Sequence, residues 1–236
     1  MDQKPNWFSV TGRGNGSVDG VCIVIDGTAT SDREYAITIR EVDNEIYARE
    51  TTPGLKFPIV CYDRHIMSGG DFCVGVSSGT WVESPQSARK WWSSLSEFLR
   101  LQGVASSTGR WPRTMELDHG QAAVYHRSAL DAAAELGVLE EYELSLIGKP
   151  SWTTRLLTRD GKSLINGRAA CPVGCERNGR RLLRCECCSK QTVLKLVQSE
   201  RSRAIALKKF WEEVRNRQMV CCGTMIGCPL RPTATR

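Results

Sequence analysis

The eleven cysteines of this chain are so unevenly placed that it has to be read as two parts. Cys22, Cys61 and Cys73 are scattered, and the other eight crowd from Cys171 onward. No apolar h-region follows the opening MDQKP, and runs such as VCIVI are too short to cross a bilayer, so the sequence predicts a cytosolic protein. Thiols stay reduced there, and crowded cysteines then point to metal rather than to a disulfide framework. Charge divides in the same way. Residues 1–150 carry 14 Lys+Arg against 20 Asp+Glu, and the remainder carries 18 against 6. We therefore expect a first domain over residues 1–148 and a basic, cysteine-rich domain over residues 149–236. A basic domain suits nucleic acid or another acidic partner; the alternative is a solvated basic surface.

The first part reads as strands and then helices. Residues 7–10, the run VCIVIDG, the alternating residues 35–42 and residues 45–49 are strand candidates joined by short turns, with GRGNGS as a flexible turn. Antiparallel strands so joined form a meander. After Trp81 the period changes. Ser84-Pro85 looks like a helix start, and Ala88, Trp91, Trp92, Leu95, Phe98, Leu99 and Leu101 recur at helical spacing to about Gln102. The Trp pair reads as core packing, with a partner-binding face as the alternative. Residues 103–120 read as a loop. A second helix covers residues 121–136, with Ala122, Val124, Ala129, Ala132 and Ala133 on or near its inward face and Gly137 as its stop.

Residues 57–81 carry the chemistry. An apolar run ends at Pro58, His65 follows, and a loop with Gly69 and Gly70 leads to Cys73. His65 stands eight residues before Cys73, and Trp81 eight after it. We read Cys73 as a nucleophile on a loop, His65 as an oxyanion donor or base, and Trp81 as an aromatic anchor. Only a few per cent of a free thiol, with a pKa of roughly 8.5, is thiolate at neutral pH. One placed oxyanion donor is worth about 3–4 kcal/mol. The alternative is a buried core thiol, a common fate of cysteine. The nucleophile reading needs the sulfur reachable at the sheet rim, with the imidazole nearby.

This stretch resembles the active-site segment of ubiquitin-conjugating enzymes. There, His-Pro-Asn is followed by a loop, Gly-x-Ile-Cys-Leu and Trp-Ser-Pro. Here GDFCV places Gly70 and Cys73 in the family positions, Trp81 keeps the family spacing, and Ser84-Pro85 follow slightly late. His65 falls where the family has the Asn, and the Pro is absent. That departure is similar to the divergent prokaryotic members, whose genes lie beside those for ubiquitin-like, activating-enzyme-like and JAB-type peptidase proteins, as in bacterial antiviral conjugation operons. The resemblance covers roughly residues 7–142 and implies an α+β fold, a meander with packed helices, lacking here the usual N-terminal helix. It also implies a transferase that takes a ubiquitin-like modifier from an activating enzyme as a thioester on Cys73 and passes it to a target amine. His65 would then stabilise the oxyanion or structure the loop. Asp118, before the second helix, would position the incoming lysine, with His119 as an alternative base; otherwise Asp118 caps that helix.

Residues 150–168 resemble a hairpin. Cys171 and Cys175 then form a knuckle-like pair, Asn178-Gly179 is a hairpin turn, and Cys185, Cys187 and Cys188 open a long amphipathic helix. Its stripe includes Val193, Val197, Ala204, Leu207, Trp211 and Val214. Knuckle, hairpin, then ligands at a helix start is the order of a treble-clef zinc site. Cys221, Cys222 and Cys228 complete a second site or return to the first, so one or two structural Zn2+ ions are expected. The second functional reading is an inactive, modifier-docking protein whose zinc module binds nucleic acid or a protein partner.

Overall fold

The computed structural model describes residues 4–24, 33–75, 79–112, 117–156, 161–187 and 189–231. They form an α+β protein in two compact units, Met1–Pro112 with Val214–Arg236, and Arg113–Glu213. The second helix of the sequence reading and the region after it thus belong to the second unit, not to that of the sheet.

The first unit is built on an antiparallel meander, β1 (Phe8–Gly14), β2 (Ser17–Val24), β3 (Arg33–Val42), β4 (Glu45–Glu50) and β5 (Thr80–Trp81), paired in that order. GRGNGS is mostly strand. The β1–β2 hairpin closes at Gly14↔Ser17, leaving Asn15 and Gly16 as a two-residue turn. Asp43 and Asn44, both at positive φ, turn β3 into β4, as short polar side chains allow.

One helix, α1 (Pro85–Thr108), covers the sheet. Ser84 caps it with a reciprocal Ser84–Ser87 box, and Pro85 stands at its first turn. It continues through GVASST, where the sequence predicts a loop, and stops at Gly109 in the left-handed region. Trp91, Leu95, Phe98, Leu99 and Leu101 of α1 join Phe8, Ile37, Ala48 and Phe72 in one buried cluster. The Trp pair is core packing: Trp91 is buried, and the Trp92 ring lies 5.0 Å from that of Phe8 and 5.5 Å from that of Trp7. Residues of the C-terminal segment, Met225 and Cys228 among them, are buried in the same cluster.

The second unit holds α2 (Gln121–Glu135), α3 (Leu139–Leu146), the short hairpin β6 (Glu176–Arg177) and β7 (Arg180–Arg181), and most of α4 (Lys190–Asn216). Ala129, Ala132 and Ala133 of α2 pack with Tyr142 and Leu196, while Val124 faces solvent. The hairpin expected over residues 150–168 is not formed among the described residues: Trp152–Thr154 is a 3-10 turn capped by Ser151. Arg159 and Asp160 of its expected turn lie outside the described residues. On α4, Val193, Val197, Trp211 and Val214 are buried as the stripe predicts, but Ala204 is exposed. Among the described residues no helix is long and apolar enough to cross a membrane.

Phe8 lies across Gly20 on the neighbouring strand, and a Cβ at Gly20 would land in that ring and 2.7 Å from the Ser9 carbonyl oxygen. Gly20→Ala is expected to cost about 1–3 kcal/mol, read as a lower urea midpoint.

Candidate active-site segment and cysteine centre

The segment before Cys73 is folded by its own backbone. The buried Glu50 carboxylate accepts N–H bonds from Gly54, Leu55 and Lys56 at 3.0, 3.2 and 2.6 Å, which curls the chain after β4. Phe57 then stacks on Tyr35, ring centroids 5.0 Å apart. Cys61 and Ile66 exchange two backbone bonds of 3.0 Å around the 3-10 turn Tyr62–Arg64. His65 closes that turn in the left-handed region at φ 56, uncommon for a residue other than glycine. Gly69 and Gly70, at φ 93 and 81, turn the chain back so that Ile66 pairs with Phe72. The Phe72 N–H reaches the Ala48 carbonyl of β4 at 2.8 Å, and the Cys73 N–H donates to the His65 carbonyl at 2.8 Å. Asp71 anchors the turn through Arg40 at 2.7 Å.

Arg64 holds this assembly to α1. Its side chain is 2% exposed. Nε donates to Gln102 Oε1 at 2.8 Å, and the two terminal nitrogens reach Ser106 Oγ at 2.8 Å and Thr224 Oγ1 at 3.5 Å. In return Gln102 Nε2 donates to the Arg64 carbonyl at 2.6 Å. Burial draws the guanidinium pKa down, and the neighbouring Cys61 and Cys222 sulfurs oppose that. Arg64 carries no motif in the sequence, where it stands between Asp63 and His65.

His65 and Cys73 therefore share the main-chain bond, and their side chains are both buried. The His65 ring lies on Trp111, centroids 5.1 Å apart. The Cys73 sulfur is near the Gly75 carbonyl at 3.5 Å, and the residue is 2% exposed. That differs from the reachable sulfur the nucleophile reading needs, because the hairpin pairs with β4 and turns Cys73 inward. Trp81 is not an inward anchor; its side chain is 56% exposed on β5.

Asp118 belongs to the second unit and serves a charge network there. Its carboxylate meets Arg203 Nη1 at 2.5 Å and the His126 ring at 3.4 Å, and Arg203 is also paired with Glu200. Burial works against the Arg203 charge, but Glu200 and Asp118 outweigh it and raise its pKa. Burial pulls His126 below its ordinary value. Asp118 does not cap α2, whose first turn has Gly120 as N-cap and no side-chain bond. His119 stacks on Phe210 at 4.6 Å.

The cysteines gather in two different ways. In the second unit the sulfurs of Cys171, Cys175 and Cys187 lie within 4.8 Å of one another. The knuckle is held by Cys171 N–H to Leu182 and Leu182 N–H to Cys175, both 2.8 Å, and the β6–β7 turn is Asn178-Gly179, both at positive φ. Cys187 arrives just before α4. Burial disfavours the Cys171 thiolate, but bonds from Cys187 and from the backbone of Val173 and Cys175 hold its pKa down. Three convergent thiols, one already inclined to ionise, fit a soft cation such as zinc. Cys185 is exposed and outside the group, and Cys188 lies outside the described residues. Cys221, Cys222 and Cys228 lie in the first unit, and among the described residues they make no group of three. There the Cys222 sulfur is 2.8 Å from that of Cys61. That contact lowers the Cys222 pKa to about 5, whereas burial pushes Cys228 up to about 12.

Residues 9–113 match the family described as "Prokaryotic E2 domain", and residues 118–230 match "Cysteine-rich domain, C-terminal to E2 domain". The chain belongs to this prokaryotic E2-like family. No curated protein and no solved structure matches. The E2-like domain carries the hairpin of His65 and Cys73, and the cysteine-rich domain carries the three-thiol group. An E2-like domain supports a role in ubiquitin-like conjugation, with a ubiquitin-like modifier as a partner.

Two outcomes are expected. Gln102→Leu leaves the buried Arg64 without its main partner and costs roughly 1.5–3 kcal/mol by chemical denaturation. Cys171→Ser or Cys187→Ser lowers the zinc content of purified protein from about one ion per chain, measured by elemental analysis.

Proposed function

We propose that this E2-like protein is an active conjugating enzyme that carries a ubiquitin-like modifier as a thioester on Cys73. The observation that supports it is the placing of Cys73. It lies within the E2-like match, at the end of a hairpin whose backbone is held from both sides, by Ala48 and by His65. In the first step the Cys73 sulfur attacks the thioester carbonyl of a modifier held by an activating enzyme. A new S–C bond forms, the old one breaks, and the other thiol leaves. A target amine then attacks the carbonyl on Cys73 and releases its thiol, a favourable exchange because an amide is more stable than a thioester. Since Cys73 is 2% exposed, each transfer requires the segment to open locally.

His65 acts as a positioning residue in this reading. Its ring is taken up by Trp111, and its contribution to Cys73 is the main-chain carbonyl presented by a left-handed backbone. Asp118, paired with Arg203, is not part of the assignment. The cysteine-rich domain, with one zinc on Cys171, Cys175, Cys187 and a fourth ligand in a treble-clef-like arrangement, would select the target or recruit a partner protein.

The burial of Cys73 favours a second reading, in which the E2-like domain docks the modifier without chemistry and the basic cysteine-rich part binds nucleic acid. One assay separates the two. With modifier, activating enzyme and ATP, the first predicts an adduct that reductant removes, lost in Cys73→Ala and converted in Cys73→Ser to a reductant-resistant ester. An adduct that persists in Cys73→Ala rejects it. Modifier binding with no adduct, together with a salt-sensitive shift of DNA or RNA, supports the second. His65→Asn, a residue tolerant of the left-handed region, is expected to keep charging, and His65→Val to slow it by roughly tenfold through about 1–2 kcal/mol of backbone strain. Equal loss in both variants would place the contribution in the imidazole.

A further inference from the structure

We propose that Cys61 and Cys222 are a redox site that forms a reversible disulfide, tying the segment after α4 to the base of the Cys73 hairpin. Their sulfurs are 2.8 Å apart although 161 residues separate them in the chain. Among the described residues no third thiol gathers with this pair into a group of three that could hold a metal ion. The pair is also asymmetric. Cys61 is 4% exposed and inside the apolar core, while Cys222 is only half-buried, with Thr224 Oγ1 3.1 Å from its sulfur. An oxidant from solution thus meets Cys222 first, and the resolving thiol is already in place behind it.

With hydrogen peroxide as oxidant the chemistry balances. The Cys222 thiolate attacks one peroxide oxygen. An S–O bond forms, the O–O bond breaks, and the departing hydroxide takes a proton to become water. Cys61 then attacks the Cys222 sulfur. The S–S bond forms, the S–O bond breaks, and the second hydroxide leaves as water with the proton from Cys61. Two thiols lose two electrons, and peroxide is reduced to two waters. A small dithiol reverses the change by exchange. In a reducing compartment such bonds are transient and sensory rather than structural.

The tie would act at a defined place. Both backbone groups of Cys61 bond Ile66, Ile66 pairs with Phe72, and the Cys73 N–H is held by His65. A covalent link at Cys61 therefore stiffens the hairpin that must open for Cys73 to react. The site itself does not depend on the conjugation reading, and its test needs no modifier.

The full chain is reduced, exposed to hydrogen peroxide at a few equivalents, alkylated and digested without reductant. We expect a peptide linking Cys61 to Cys222, lighter by two hydrogens than the pair of free peptides, and faster migration on a non-reducing gel. Dithiothreitol should reverse both. Cys222→Ser should lose the linked peptide and keep the zinc content of the unaltered chain. The proposal is overturned if peroxide joins either cysteine to a different partner, if both remain fully alkylated, or if Cys222→Ser loses zinc. Cys222 is half-buried, so this variant is the one to rely on should Cys61→Ser not fold.

Discussion

The E2-like unit depends on a buried positive charge. Taking a guanidinium out of water costs several kcal/mol unless its donors are met. Arg64 meets that cost with Gln102 and Ser106 on α1 and Thr224 in the C-terminal segment. No rearrangement that separates those three can leave Arg64 in the core unpaired. The turn that contains Arg64 is thus pinned to the helix, and the next residue, His65, takes the left-handed conformation and accepts from the Cys73 N–H. The hairpin that carries Cys73 is thus joined to α1 and to the C-terminal segment through Arg64.

The second unit solves a similar problem differently. Arg203, half-buried, lies between two carboxylates, Glu200 and Asp118, and Tyr142 donates to Glu200 at 2.8 Å. Both carboxylates close on the one guanidinium, which also accounts for the acid before α2. The rest of the unit has a modest apolar core around Leu182, Val193 and Val197, next to the three thiols. That placing is consistent with a metal that would tie knuckle to helix and add to the packing.

Much of this was legible in the residues. Period-two alternation marks β3, and helical spacing marks α1 with Trp91 inward, because each pattern reports one buried face. Asn178-Gly179 announced its hairpin, since few other pairs accept two positive φ angles. The misreadings have causes too. GVASST lacks bulky apolar residues, yet helical geometry carries on until Gly109 offers a left-handed stop. Residues 151–156 have strand-like composition, but Ser151 caps a 3-10 turn instead. Asp118 reads in the sequence as a helix cap or as a residue that positions the incoming lysine, because its partner Arg203 is distant in sequence.

The sequence by itself determined the E2-like segment, with Cys73 and His65 at set spacing, and the division into an acidic part and a cysteine-rich basic part. These are local facts, carried by spacing and composition. Only the tertiary structure decided that Cys73 is turned inward, that Cys171, Cys175 and Cys187 converge, and that Cys222 meets Cys61. Each of those outcomes depends on side chains far apart in the chain being packed together, and no periodicity or motif encodes which distant partner a buried sulfur or charge will meet.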